Sequence, residues 1–280
     1  MITALPTLLT LSNAACGFGA VTIAAKLGPD TLAGEPTGPN LLLASLLVFL
    51  AMVFDMLDGA AARLTNSASE IGAQLDSLCD AISFGLAPAF IMLQFVRYEQ
   101  PLAAEYPAWF DWPPRMVWTI AALFLLCAIL RLARFNVETE EDDAHDAFSG
   151  LPSPAAAGTV AAFPIAMREL ISLDRADAAS VAWLVPGLVA LLPPVTLAAA
   201  ALMVSRLRYA HVFSQLSQGG WHRRSVILIV FGAAVVFWVH ELAVLLIFAA
   251  FAFSGPVKWA WGELRERGVV GRSGDTAAPS

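Results

Sequence analysis

Apolar runs of about 20 residues recur along the whole chain, separated by short polar segments. They lie at residues 8–27, 41–64, 71–96, 116–135, 154–170 and 181–204, and a longer run follows at 226–253. A helix of roughly 20 apolar residues crosses the hydrocarbon core of a bilayer. In lipid, only helices and closed barrels satisfy every backbone polar group. The pattern therefore predicts an all-α polytopic membrane protein.

The last run is too long for one comfortable span and is interrupted at His240 and Glu241. If it forms a hairpin of two short helices, eleven of the 16 Lys and Arg residues lie on the same side as the polar turn at 65–70. A single last span would leave only seven of them there. Because cytoplasmic loops are enriched in basic residues, we predict the hairpin, about eight spans, and cytoplasmic termini.

These spans divide the chain into four segments. We predict a six-span core at 1–206, a basic cytoplasmic linker at 207–224, the transmembrane hairpin at 225–254 and a disordered cytoplasmic tail at 255–280. Hydrophobic residues make up 58% of the chain and charged residues 14%, which is not the composition of a soluble domain. The net charge of −7 gives no basis for nucleic-acid binding.

Four aspartates interrupt the second and third runs at helical spacing. Asp55 and Asp58 are three residues apart, and Asp76 and Asp80 are four apart, so each pair shares one helix face. If the chain folds back at residues 65–70, Asp55 faces Asp80 and Asp58 faces Asp76. Ionised groups at membrane depth cost roughly 2.5–3.5 kcal/mol each, so a cluster of four indicates a functional site.

Four facing carboxylates need cations between them. Oxygen ligands favour hard divalent ions such as magnesium, manganese or calcium, and two such ions would balance the four charges. About 21 Å of helix separates Leu41 from Asp55, against a hydrocarbon core of about 30 Å. The cluster is therefore expected in the cytoplasmic third of the membrane, where water and lipid both reach it. Such a site suits phosphoryl transfer to or from a lipid.

The residues beside the cluster suit a phosphate-bearing substrate. Arg63, one turn beyond Gly59, can bind a phosphate through its planar guanidinium, and Gly59 and Ala62 leave room for a nucleotide near the backbone. An acceptor hydroxyl needs a base, and Asp80, among the deepest of the carboxylates, could take the proton. The residues alone do not identify the donor. A cation transporter stays open as an alternative, although transporters usually show paired repeats.

Polar residues elsewhere in the spans are few. Asn13 lies in the first run, where by itself it indicates a hydrogen bond between helices. Arg131 and Arg134 end the fourth run on one helix face. Their position fits anchoring at the cytoplasmic surface and substrate binding equally well.

The aspartate stretch resembles the signature of the CDP-alcohol phosphotransferase family. Its pattern, D-x2-D-G-x2-A-R-x8-G-x3-D-x3-D, is met without departure at eight positions: Asp55, Asp58, Gly59, Ala62, Arg63, Gly72, Asp76 and Asp80. The resemblance covers about the first six runs, which would form the catalytic core. It implies a CDP-linked lipid or alcohol as donor, the release of CMP, and a homodimer.

The resemblance also implies roles for individual residues. Asp55, Asp58 and Asp76 would bind two divalent cations, Mg²⁺ or Mn²⁺, and Asp80 would be a further ligand or the general base. Five residues would belong to the CDP site: Asn13, Gly59, Ala62, Arg63 and Gly72.

Three further stretches resemble the CDP-diacylglycerol–serine O-phosphatidyltransferase branch of that family. They lie at residues 5–20, at 75–89, and at 131–136 followed by 148–158. This branch implies CDP-diacylglycerol and L-serine as substrates, with Arg131 and Arg134 facing the serine carboxylate. Glycerol phosphate, inositol phosphate and choline stay open as acceptors, because two arginines could also serve a phosphate. We expect the protein in the bacterial inner membrane, with its active site facing the cytoplasm.

Overall fold

The computed structural model describes residues 4–26, 39–65, 69–99, 112–140, 150–174, 184–205, 207 and 242–266. Within these ranges every regular element is helical, which confirms the predicted all-α class. A π-helical segment at Ala81–Leu86 joins the third and fourth helices into one continuous rod. The helices are α1 Ala4–Ala24, α2 Pro39–Thr65, α3 Glu70–Asp80, α4 Ala87–Glu99, α5 Pro114–Glu140, α6 Ser153–Asp174, α7 Leu184–Val204 and α8 Leu242–Glu266.

Five helical stretches are long and apolar enough to cross a membrane, which makes the protein polytopic. They are Leu5–Ala24, Pro39–Ala62, Glu70–Glu99, Pro114–Val137 and Pro186–Val204, and α8 contributes a shorter apolar stretch, Leu242–Val257. The sequence also predicts a span at 154–170, within α6, but α6 is not one of these five. The side chains at 169 and 171–174 of α6 lie outside the described residues, so the span predicted there stays a prediction.

Helix α6 lies in the centre of the bundle. All residues from 156 to 167 are buried, and most of them are small, which lets other helices approach closely. At Gly158 an added Cβ would collide with the ring of Phe248 on α8. The same ring packs edge-on against Phe49 of α2, with 5.4 Å between ring centroids. Helices α2, α6 and α8 therefore meet at this point.

Local sequence signals set several helix starts. Ser69 caps α3 by accepting a hydrogen bond from the Gly72 amide at 3.1 Å. Pro39 and Pro114 are the first residues of α2 and α5, where a missing amide hydrogen costs nothing.

Hydrogen bonds between helices fix their relative directions. Helix α1 runs parallel to the α3–α4 rod, and α5 runs antiparallel to it. As a result, one end of the bundle contains the C-terminal ends of three helices, α2, α5 and α7. The same end contains the N-terminal ends of α3 and α6. The bonds involved are Asn13 Nδ2 to Asp80 Oδ1 (2.9 Å), Gln94 Nε2 to the Ala24 carbonyl (3.3 Å), Ser77 Oγ to Asn136 Oδ1 (3.1 Å) and Trp112 Nε1 to the Ala190 carbonyl (3.1 Å).

The C-terminal part differs from the predicted boundaries. Helix α8 continues to Glu266, so residues 255–266, predicted to belong to the tail, are helical. The first half of the predicted hairpin, residues 225–241, lies outside the described residues, as do nearly all of the linker and the end of the tail. The four-segment division and the eight spans therefore stay predictions.

Candidate active site

The four aspartates converge where the end of α2 meets the start of the α3–α4 rod. One carboxylate oxygen from each of Asp55, Asp76 and Asp80 lies within 4.8 Å of the other two. Asp58 completes the group, because its charge acts on both Asp55 and Asp76. The end of α2 and the start of the rod therefore bring their acids together, as expected from a turn at residues 65–70.

The burial of these carboxylates fits a metal site. Asp58 is 6% exposed and Asp80 is 8% exposed. Asp58 Oδ2 and Asp76 Oδ1 are buried and have no hydrogen-bond partner among the residues that the structure describes. Leaving a buried carboxylate oxygen without a partner is costly, and a hard cation bound to these oxygens would remove that cost. The residues present therefore fit a divalent ion with oxygen ligands.

Helix α1 contributes a buried amide to the cluster. Asn13 is fully buried and donates from Nδ2 to Asp80 Oδ1 at 2.9 Å. Its backbone carbonyl accepts a hydrogen bond from the Ser83 hydroxyl at 2.9 Å. A Cβ added to Gly17 would lie 2.7 Å from the Ser83 Cα, so only glycine permits this close approach. Asn13, which the family resemblance assigns to the CDP site, thus contacts a carboxylate of the cluster.

The π-helical segment begins directly after Asp80. Residues Ala81–Leu86 form one wide turn within an otherwise α-helical rod. Such single π turns occur mostly at functional sites. Here the turn places Ser83 against α1, while Asp80 on the preceding α-helical turn faces the cluster.

A half-buried arginine lies within electrostatic reach of the carboxylates. The positive charge of Arg131 on α5 acts on Asp80 and Asp55. Its Nη1 donates to the hydroxyl of Ser153, the first residue of α6, at 2.6 Å. Arg134, three residues further along α5, has an exposed side chain. The two arginines that share a predicted face therefore differ in burial, and Arg131 is the one that lies beside the aspartates.

The remaining residues of the predicted CDP site lie around the ends of α2 and α3. Gly59 and Ala62 are half-buried on α2, following the aspartates. Gly72 is exposed on the first turn of α3, where its amide donates to Ser69. The side chain of Arg63 lies outside the described residues.

Comparison with known proteins connects this geometry to a family. The family model for CDP-alcohol phosphatidyltransferases matches residues 3–192, about two thirds of the chain, and the match includes the whole aspartate cluster. This chain belongs to that family. Membership makes it a transferase, and it confirms the resemblance carried by residues 55–80.

Curated relatives from three domains of life are similar to this CDP-alcohol phosphatidyltransferase. A CDP-diacylglycerol–serine O-phosphatidyltransferase of Helicobacter pylori (strain J99) is 31% identical over 78% of this chain and 79% of its own length. The Saccharomyces cerevisiae protein of the same name is 33% identical over 60% of this chain and 55% of its own. An archaetidylserine synthase of Methanothermobacter thermautotrophicus is 35% identical over 57% of each.

Two contacts of the site escape the sequence analysis. Ser153 lies in the stretch 148–158 that resembles the serine branch, but its hydrogen bond to Arg131 joins two helices and is not visible in the sequence. Thr10 is buried close to Asp58, and its hydroxyl donates to the Pro6 carbonyl of its own helix at 3.0 Å. Thr10 precedes Asn13 by three residues and so shares its helix face. That spacing is the signal that could have identified it.

Proposed function

We propose that this protein transfers the phosphatidyl group of CDP-diacylglycerol to the hydroxyl of L-serine, giving phosphatidylserine and CMP. The observation that carries the proposal is the half-buried Arg131, whose charge acts on two of three converging aspartates. The relatives add support, because those from Helicobacter pylori and yeast are named for serine and CDP-diacylglycerol. The archaeal relative is named as an archaetidylserine synthase. Its name also contains serine, although the lipid part of the name is different.

The aspartates are proposed to hold two divalent cations, Mg²⁺ or Mn²⁺. Asp55, Asp58 and Asp76 would bind them, and Asp80 would be a ligand or the base. When bound, such ions neutralise phosphate oxygens and the departing group in phosphoryl transfer. Two ions would balance the four carboxylates. The charge of Arg131 would then be available to a substrate anion.

The proposed reaction joins the serine oxygen to the phosphatidyl phosphorus. The bond between that phosphorus and the oxygen bridging to CMP breaks, and CMP leaves with the bridging oxygen. Asp80 takes the proton of the serine hydroxyl, while Asn13 holds Oδ1 of that carboxylate. Gly59, Ala62, Arg63 and Gly72 are proposed to bind the CDP moiety.

Arg131 is proposed to bind the serine carboxylate. A guanidinium stays charged when buried and binds a carboxylate through parallel hydrogen bonds. Arg131→Lys removes this fork, and a hydrogen bond to a charged group contributes about 1.5–3 kcal/mol. We therefore expect kcat/KM for serine to fall about ten- to hundredfold, with a smaller change for CDP-diacylglycerol. If Arg131 only balanced the aspartates, lysine would keep that charge, and serine kinetics should stay nearly unchanged.

Two further variants serve as comparisons for Arg131→Lys. Arg115→Lys makes the same change on an exposed residue at the opposite end of α5, and we expect unchanged kinetics. Arg134→Lys tests the second predicted serine contact. Because Arg134 is exposed, we expect a smaller rise in serine KM than for Arg131→Lys. Equal effects in the two variants would mean that burial does not set the contribution of either arginine.

The activity itself is tested with purified protein in detergent. CDP-diacylglycerol is offered with serine, glycerol phosphate, inositol phosphate or choline, and both CMP release and the lipid product are measured. Serine should be used with the highest kcat/KM. Preference for glycerol phosphate would refute the serine assignment while keeping the family chemistry, whereas absence of CMP release with all four acceptors would refute the proposed reaction. The homodimer, the bacterial inner membrane and the cytoplasmic active site stay predictions.

A further inference from the structure

We infer that Ser153 is a positioning residue for the acceptor: it holds Arg131 so that the remaining guanidinium N–H groups are presented to the carboxylate of the acceptor. The inference rests on the proposed function, because it requires an acceptor that carries an anionic group. It concerns the first residue of α6, which forms no part of the aspartate signature.

The contact itself is short and partly buried. Arg131 Nη1 lies 2.6 Å from Ser153 Oγ, and Ser153 is 0% exposed. A guanidinium has five N–H donors in a planar fork, and this bond uses one of them. Fixing one nitrogen of a planar group restricts rotation of the whole group. The hydroxyl therefore limits the directions in which the remaining donors of Arg131 can point.

Ser153 is itself held in place by the segment that precedes it. The Gly150 amide donates to the Leu207 carbonyl at 2.9 Å, and the Leu151 amide donates to the Leu202 carbonyl at 2.9 Å. Gly150 has a φ of +97°, a conformation that favours glycine. A Cβ at Gly150 would also collide with the Met203 carbonyl oxygen. Residues 150–151 are thus tied to the end of α7, and Ser153 follows on a central, buried helix.

The position of the pair suggests what it serves. Arg131 lies near Asp80, the proposed base, and near Asp55. An acceptor whose hydroxyl reaches Asp80 would place a carboxylate two carbon atoms away near this guanidinium. Rigid support around a binding group is what keeps such a group in productive geometry. The orientation of Arg131 would therefore contribute to the choice of acceptor.

The test is the kinetics of Ser153→Ala in the full-length protein. The expected result is a rise of about tenfold in serine KM, the scale of one charge-assisted hydrogen bond, with CDP-diacylglycerol KM changed less than twofold. Ser153→Thr keeps the hydroxyl and should restore most of the serine affinity. Ser153→Cys, close in size but a weak acceptor, should behave like the alanine variant and replaces it if that variant does not fold.

A matched control and a double variant separate positioning from a structural role. Thr159→Val removes another buried hydroxyl of α6, one that bonds to the Ala155 carbonyl at 2.8 Å and to the Phe248 carbonyl of α8 at 3.4 Å but not to Arg131 among the described contacts. It should leave both KM values unchanged. If Ser153 acts through Arg131, Ser153→Ala combined with Arg131→Lys should lose little more than Arg131→Lys alone.

Each result decides the inference. An unchanged serine KM in folded Ser153→Ala overturns it, and so do parallel rises in both KM values that threonine fails to reverse. If the wild-type protein prefers glycerol phosphate, the serine assignment fails, but a selective rise in glycerol phosphate KM still supports the role of Ser153. A preference for choline, which is cationic, would refute the inference together with the serine assignment.

Discussion

The hydrogen bond between Asn13 and Asp80 leads to a sharp kinetic prediction. Asn13 is fully buried and donates to Asp80 Oδ1 at 2.9 Å. Replacing it with alanine removes the donor and frees the carboxylate to rotate. If the bond orients Asp80 for the reaction, Asn13→Ala should lower kcat and leave the KM for CDP-diacylglycerol nearly unchanged. If Asn13 instead contacts the nucleotide, as the family resemblance implies, that KM should rise.

The magnitude follows from the nature of the bond. A hydrogen bond to a charged group contributes about 1.5–3 kcal/mol, and each 1.36 kcal/mol in a barrier changes a rate tenfold. We therefore expect kcat to fall by about one to two orders of magnitude. Asn13→Asp should be more severe, because it adds a fifth carboxylate to four that already repel one another.

The assay is CMP release at saturating serine and metal, with CDP-diacylglycerol varied. Ser12→Ala is a suitable control on the same helix, because the Ser12 hydroxyl bonds only to the Leu8 carbonyl of α1 among the contacts of the described residues, at 2.7 Å. Ser12→Ala should retain normal kinetics. A kcat for folded Asn13→Ala within twofold of wild type would refute the orienting role. A selective rise in the KM for CDP-diacylglycerol would indicate that Asn13 binds the nucleotide.

Three further predictions concern the metal, the packing and the topology. Asp55→Asn should abolish turnover at normal expression. Chelation should stop the wild-type reaction, and Mg²⁺ or Mn²⁺ should restore it. Near-normal activity of Asp55→Asn at saturating metal would contradict a metal-binding role. Gly17→Ala should destabilise the protein in detergent by about 1–3 kcal/mol, because the new methyl group meets Ser83, whereas Gly19→Ala, which meets only a Leu side chain at 3.4 Å, should be tolerated. Thermal unfolding measures both, and equal stability would contradict the packing argument. A cysteine at position 273, in a cysteine-free background, should be labelled from the cytoplasm; labelling from the opposite side would mean a single final span.

The sequence predicts the aspartate cluster well because two simple periodicities determine it. Spacings of three and four place each pair of acids on one face of a helix. A polar break between two apolar runs then predicts that the helices fold back on each other. Carboxylate oxygens of Asp55, Asp76 and Asp80 do converge to within 4.8 Å of one another, as this fold predicts. Residue number alone carries this part of the site.

The partners of the cluster depend on packing between distant segments and are harder to predict. Asn13 precedes Asp80 by 67 residues, and its hydrogen bond depends on how closely α1 approaches the π-helical segment. Ser153 is linked to Arg131 only because the chain returns after residues 141–149, which lie outside the described residues. The difference in burial between Arg131 and Arg134 likewise follows from where α6 begins. No local sequence pattern predicts these contacts between distant segments.

The π-helical turn also determines which changes in chain length the rod can accept. A π turn holds one residue more than the α-helical geometry needs. Deleting one residue from Ala81–Leu86 would let the rod become a regular helix while the helices on either side keep nearly the same relative orientation, because the π turn already absorbs one extra residue. A deletion in the regular part of α3 or α4 would instead rotate the aspartates by about 100° relative to the buried face of α4. Changes of one residue in chain length among relatives are therefore expected within this segment rather than in the α-helices beside it.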